Sequence, residues 1–317
     1  MSKILVTGAA GFIGAHVVKA LVERGDEVVG VDNFNDYYNP QLKADRISIF
    51  LKNYPVKIYR LDIADANELK KVFAENQIDK ICHLAAQAGV RYSLENPGVY
   101  ISANIVGTHN ILESCRQFGI KHLVFASSSS VYGNNDKIPF AETDPVDRPI
   151  SLYAATKKSN ELEAYTYHHL FGLNAVGLRF FTVYGPWGRP DMAYFKFSDL
   201  ISQGKPIDVY NQGNLKRDFT YVDDIVAGIK KAIDYCRGYE IFNLGNNQPV
   251  VLHDFIEILE KHLGQKARKN FLPLQPGDVL ATYADIIKAK KILDWEPQTK
   301  IEDGLHKFVA WYREYNS

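Results

Sequence analysis

Tyr153 and Lys157 stand four residues apart, a spacing that puts both side chains on one face of a helix. A free phenol with a pKa of about 10 is a poor base at neutral pH, but a neighbouring ammonium favours the phenolate and brings it toward working range. The same spacing also occurs on plain solvated helix faces, so the pair alone leaves both readings open. A second cluster is Ala126-Ser-Ser-Ser-Ser-Val-Tyr-Gly133, which sets four hydroxyls where an apolar run ends. The plain alternative there is a serine turn capping the next segment.

The third cluster opens the chain. Lys3-Ile-Leu-Val-Thr7 has strand length and is followed by Gly8, Gly11 and Gly14 and then by an amphipathic pattern. Strand, glycine turn and helix N-terminus is the order a nucleotide pyrophosphate requires: Gly8 makes the turn, Gly11 admits the phosphates, and Gly14 lets helix pack on strand. The first-turn amides, with Phe12 and Ile13 among these residues, face the anion. The spacing is G-x-x-G-x-x-G rather than the commoner G-x-G-x-x-G. Eighteen residues past Gly14, Asp32 closes a second apolar run. A carboxylate there accepts the adenosine ribose hydroxyls and repels a ribose phosphate, so the expected cofactor is NAD rather than NADP. Together the glycine turn, the serines and the Tyr/Lys helix point to hydride transfer at a carbinol.

The elements that position these groups follow from periodicity. A helix is expected from about Phe12 to Arg24, with further strands at Val28–Val31, Val56–Leu61, Ile81–Leu84, Leu123–Ala126 and Ala175–Leu178, separated by helical patterns. Repeated β-α units with short apolar strands predict an α/β fold, a doubly wound parallel Rossmann sheet. Asp62 and Ile63, just past the third strand, fall where adenine would lie. Past about Phe180, glycines and prolines break the pattern, and a smaller C-terminal substrate-binding lobe is expected. A helix at Val222–Cys236 and a strand at Glu240–Leu244 look able to rejoin the main sheet. The domains read as 1–180, rejoined by about 213–245, for the cofactor, and 181–212 with 246–317 for the substrate. Ligands should bind between the two.

The 317 residues are 46% apolar and 23% charged, with Lys plus Arg and Asp plus Glu balanced at 37 each. No global field points to nucleic acid or to an anionic membrane. No apolar run reaches spanning length, and no signal peptide is evident. Cys82, Cys115 and Cys236 lie far apart without metal-ligand spacing, so reduced core cysteines of a cytoplasmic protein are expected, and no metal.

The chain resembles the extended short-chain dehydrogenase/reductase family, specifically its nucleotide-sugar 4-epimerases and most closely the UDP-glucuronate 4-epimerases. The likeness covers nearly the whole chain, through Val6-Thr-Gly-Ala-Ala-Gly-Phe-Ile-Gly14, the segment His83–Ser93, the serine run to Gly133, Leu152-Tyr-Ala-Ala-Thr-Lys157, Arg179–Met192 and Arg217–Asp224. The Arg179–Met192 stretch narrows it to glucuronate epimerases. The resemblance implies Tyr153 as acid/base for the 4-hydroxyl, Lys157 as the group that tunes it and holds the nicotinamide ribose, and Ser128 as hydroxyl partner. Leu84, Ala85, Ala86 and Gln87 match the segment beside the cofactor. Asn104 matches an asparagine that organises the site, with a buried helix amide as the equal alternative. Arg217 matches a diphosphate ligand, and Asp278 a ribose or phosphate contact. Many related epimerases carry arginine where this chain has Gln275.

A UDP-sugar is then the expected partner, oxidised to a 4-keto sugar and reduced from the opposite face, with NAD regenerated each turnover. For glucuronate the intermediate is a β-keto acid that loses carbon dioxide easily, so its carboxylate must be held. Thr182 and Arg189 are the candidates, helped by Ser127, Ser128 and Ser129. Arg91 is a second basic candidate, with a phosphate contact or structural ion pair as alternatives. Thr182 stands where glucose-type epimerases usually have asparagine. Dehydratases use an acidic pair, and decarboxylases carry glutamate before Val-Tyr-Gly; Ser129 and Ser130 occupy those positions here. UDP-glucose 4-epimerase is the nearest alternative, then decarboxylase, and last a non-catalytic NAD-binding scaffold. In relatives, helices like those around Asn96–Phe118 and Ser151–Phe171 pair as a four-helix bundle, which implies a homodimer.

Overall fold

A computed structural model describes residues 1–274 and 280–317. Strands β1 (Lys3–Thr7), β2 (Glu27–Asp32), β3 (Lys57–Arg60), β4 (Lys80–His83), β5 (His122–Ser128) and β6 (Asn174–Phe180) alternate with helices. They are followed by β7 (Thr182–Tyr184), β8 (Pro206–Tyr210), β9 (Lys216–Tyr221), β10 (Tyr239–Leu244), β11 (Pro249–Val251), β12 (Arg268–Leu272) and β13 (Ala281–Thr282). Seven strands form one parallel sheet in the order β3-β2-β1-β4-β5-β6-β10. The order reverses between β1 and β4, which opens a crevice at their carboxyl ends.

Strand residues alternate between two cores, as the two-residue side-chain period demands. Ile4, Val6, Cys82, Val124, Val176 and Leu178 pack on one face with the helices Phe12–Glu23 and Val222–Tyr235. Leu5, Val29, Val31, Ile81, Leu123 and Phe125 face the opposite way, toward Ala66–Glu75, Gly107–Phe118 and Leu152–Phe171. Fully burying each such aliphatic side chain contributes about 1.5–3 kcal/mol. This is the doubly wound architecture expected from the sequence, and β10 pairs in parallel with β6 at its edge.

Caps fix the helix that carries the Tyr/Lys pair. Ser151 accepts a hydrogen bond from Ala154 N at 3.1 Å at its start, and Gly172 closes it in the left-handed conformation at φ 65°. One strand runs further than the hydrophobic pattern suggests. β5 continues through Ser127 and Ser128, which pair in register with Arg179 and Phe180 of β6. The two serines are therefore strand residues held by the sheet ladder, and the tight turn begins only at Ser129.

Beyond the sheet, β9 collects β7, β11 and β13, while β8 pairs with β12. The helix Ile301–Tyr315 presses Phe308, Trp311 and Tyr315 onto Tyr194, Phe195 and Trp187. That aromatic stack supports the Gly185–Asp191 loop from beneath.

Candidate active site

A cavity of about 530 Å³ opens at the carboxyl ends of the strands. Gly8 turns the chain at its edge with φ +72°, and a β-carbon there would lie 2.8 Å from Ala85 N. Gly14 is tighter still, since a β-carbon would fall 1.9 Å from Gly8 O. Only glycine lets the helix seat against the turn. No side chain caps that helix and no acid stands in its first turn, while Gly11, Phe12 and Ile13 line the cavity. Its uncapped amides and dipole face into the cavity, and the cradle suits a pyrophosphate.

Asp32 is buried at the end of β2. It accepts from Ala10 N at 3.1 Å and Phe34 N at 2.8 Å, and pairs with buried Lys43 at 3.3 Å. Asp62 bonds Asn33 Nδ2 and its own turn at Ala64 N, with Ile63 behind it, and Leu84, Ala85, Ala86 and Gln87 form the facing wall. Behind that wall, Thr7 Oγ1 accepts from Leu84 N and Ala85 N at 3.1 Å each, so its own proton goes to His83 Nδ1 at 2.7 Å. His83 then donates through Nε2 to Thr108 at 3.0 Å. Burial, helped by the Lys157 charge, lowers the His83 pKa to about 3, so the ring is a neutral brace. Asn104 does not line the cavity. It is fully buried in the turn Ile101–Val106, accepts from Gln87 N at 2.8 Å and donates to Gln87 O and Thr156 Oγ1 at 3.0 Å each.

Tyr153, Lys157, Ser127, Ser128 and Ser129 also line the cavity. Burial pushes the Tyr153 phenol above its ordinary pKa, while the Ser128 hydroxyl and the Arg189 charge pull it down. Burial lowers Lys157 to about 8, and its ammonium donates to Ala126 O at 2.9 Å. Ser128 Oγ accepts from Ser130 N at 3.2 Å. Ser127 is committed elsewhere, because its hydroxyl donates to buried Glu161 at 2.7 Å. Glu161 also takes a two-pronged pair from Arg179 at 2.8 and 2.9 Å, so this carboxylate fixes β5, β6 and the Tyr/Lys helix to one another.

Thr182, Arg189, Arg91 and Arg217 line the same cavity. Arg189 is paired with Asp191 at 3.0 and 2.5 Å and lies over the Tyr37 ring, whose hydroxyl also donates to Asp191. Arg91 lies over Tyr210 at 5.3 Å, and Arg217 donates to Lys216 O. Asp278 and Gln275 lie outside the described residues. Sequence reasoning missed Tyr37, Tyr38, Lys43 and Asp191, all of which line the cavity, and buried Arg46 behind them.

Residues 4–245 match the NAD dependent epimerase/dehydratase family. The chain belongs to that family. It is 49% identical over 315 residues to the UDP-glucuronate 4-epimerase of Thermodesulfobacterium geofontis, covering 99% of this chain and 97% of that one. UDP-glucuronate 4-epimerase 1 of Arabidopsis thaliana is 51% identical over 330 residues, covering 98% of this chain and 77% of the plant protein. The crystal structure of the Bacillus cereus UDP-glucuronic acid 4-epimerase, in complex with UDP-glucuronic acid and NAD, superposes with a TM-score of 0.92 at 36% identity over 99% of both chains.

Proposed function

We propose that this chain is an NAD-dependent isomerase that interconverts UDP-glucuronate and UDP-galacturonate through a 4-keto sugar. One observation carries the reading: a single cavity is lined by the glycine cradle and Asp32, by Tyr153, Lys157 and Ser128, and by Thr182 and Arg189. Identities of about half the chain to named UDP-glucuronate 4-epimerases support it.

The cradle residues fit NAD. Gly8, Gly11, Phe12, Ile13 and Gly14 would hold the pyrophosphate, and Asp32 the adenosine ribose. Asp62 and Ile63 would meet the adenine, and Leu84 to Gln87 would flank the nicotinamide half, with Asn104 fixing Gln87 from behind. When bound, NAD supplies a hydride acceptor that gives the hydride back. Tyr153 takes the 4-hydroxyl proton and later returns one, Ser128 orients that hydroxyl, and the Lys157 charge favours the phenolate. Arg91 and Arg217 grip the diphosphate.

The intermediate's carboxylate must stay in the plane of its ketone to resist decarboxylation. Thr182, Arg189, Ser128 and Ser129 do this; Ser127 contributes by aligning β5, since its proton already serves Glu161. Residues 181–212, 246–274 and 280–317 would supply the lobe that holds the UDP-sugar. Exposed Ile101, Val106, Leu162, Tyr165 and Leu170 along two neighbouring helices support a homodimer through a helix bundle. Three free, buried cysteines suit a reducing cytoplasm, and among the described residues no helix is long and apolar enough to cross a membrane.

Proton NMR of the purified protein with UDP-glucuronate, without added cofactor, tests this. UDP-galacturonate is the expected product. A UDP-pentose would mean a decarboxylase, and conversion of UDP-glucose in preference would shift the reading to the glucose-type enzyme.

A further inference from the structure

Arg46 is fully buried, and no carboxylate among the described residues pairs with it. Its guanidinium is nonetheless saturated. Nε donates to Trp187 O at 3.0 Å, one terminal nitrogen to Ala10 O at 3.0 Å and Tyr38 OH at 2.7 Å, and the other to Trp187 O at 2.8 Å and Gly188 O at 3.1 Å. Every N–H is used, and the acceptors lie on three segments that border the cavity: the glycine turn, Tyr38, and the loop just before Arg189. Ala10 belongs to the glycine turn, whereas Trp187 and Gly188 lead directly into Arg189. Trp187 has a left-handed backbone at φ +60°, unusual for a bulky residue, and Arg46 holds its carbonyl with two N–H groups of one fork.

We propose that Arg46 is a positioning residue that couples the cofactor turn to the substrate loop, so that each ligand tightens the other. This coupling rests on the function proposed above and follows from the geometry. A rigid fork bonded to both loops lets neither move without the other. A ligand that steadies the glycine turn then steadies the loop that presents Arg189, and a sugar held by Arg189 in turn retains the cofactor.

The experiment measures how fast NAD leaves the holoprotein, with and without saturating UDP-glucuronate, in a Tyr153→Phe background that prevents turnover. In the otherwise unaltered chain the substrate should slow release. In Arg46→Lys, which keeps the charge but loses the fork, release should quicken roughly tenfold and the slowing by substrate should vanish. A purely structural loss would speed release but leave the ratio with and without substrate intact, which would overturn the coupling. Should Arg46→Lys fail to fold, Tyr38→Phe, which deletes one acceptor only, must still lower the ratio; an unchanged ratio refutes the proposal. Failure of UDP-glucuronate to bind the unaltered chain would instead remove the functional reading and the coupling with it.

Discussion

Replacing Arg189 with alanine should cost this enzyme its preference for a charged sugar more than its ability to bind one. Of the five N–H groups on a guanidinium, Asp191 takes one from Nε and one from a terminal nitrogen, which leaves three for a ligand. A hydrogen bond to a charged group contributes about 1.5–3 kcal/mol and a neutral one about 0.5–1.5 kcal/mol. The loss in kcat/KM should therefore be roughly 10- to 150-fold for UDP-glucuronate, against roughly 2- to 12-fold for UDP-glucose. Alanine also leaves Asp191 without its cation beside the substrate carboxylate, so part of the loss would be repulsion. The double variant Arg189→Ala/Asp191→Ala separates the two, because removing the second charge should recover some of the glucuronate activity and none of the glucose activity. Steady-state rates on both sugars, with products resolved by chromatography, give the four corners of the cycle. Equal losses on the two sugars in the single variant would refute the assignment of Arg189 to the carboxylate.

Three further perturbations probe the site and its frame. Tyr153→Phe should lower kcat by roughly 10²–10⁴-fold while the protein keeps its NAD, measured by the absorbance of nucleotide released on denaturation; activity near normal would remove Tyr153 as the base. Lys157 has its pKa lowered by burial to about 8 from 10.5, so its ammonium weighs against the cofactor-free fold below that pH and ceases to as pH rises toward 10.5. Lys157→Met should accordingly raise the melting temperature of cofactor-free protein at pH 7, by less at pH 10, while abolishing turnover; a variant less stable at pH 7 contradicts this. Glu161→Gln should destabilise by about 3–5 kcal/mol in chemical denaturation, since it strands Arg179 in the core. Burial would raise the Glu161 pKa, but Arg179 and Ser127 outweigh it and hold it low. The stability this carboxylate contributes is thus present above the unfolded pKa of about 4.3 and lost as acid takes the pH below it, a step the variant should lack.

The fold was legible because its chemistry is local. Ile4 and Val6 against Leu5, repeated in each strand, declare two cores and hence a sheet covered on both faces. Gly14 declares a contact that a β-carbon would block. The Tyr153–Lys157 spacing reads correctly because the helix between Ser151 and Gly172 is regular and capped at both ends. What stayed hidden depends on distance in sequence. Arg46 meets acceptors 141 and 142 residues away, and nothing in Leu42-Lys-Ala-Asp-Arg46 separates it from surface charge. Lys43 is likewise a common helix residue until the fold buries it against Asp32. The serine run gave up its hydroxyls to the sequence reader but not their loyalties, because Ser127 faces Glu161 only once β5 extends beside β6. The widened turns Arg46–Phe50 and Ile101–Val106 shift the helical phase, so a 3.6-residue period cannot say that Asn104 points inward.

Turnover of UDP-glucuronate deuterated at carbon 4, in ordinary water with no added nucleotide and with the product analysed by mass spectrometry, tests the central claim most directly. Oxidation and return of the same hydride within one closed site predicts UDP-galacturonate that keeps its deuterium. Product that has lost the label to solvent would contradict a redox epimerisation at carbon 4.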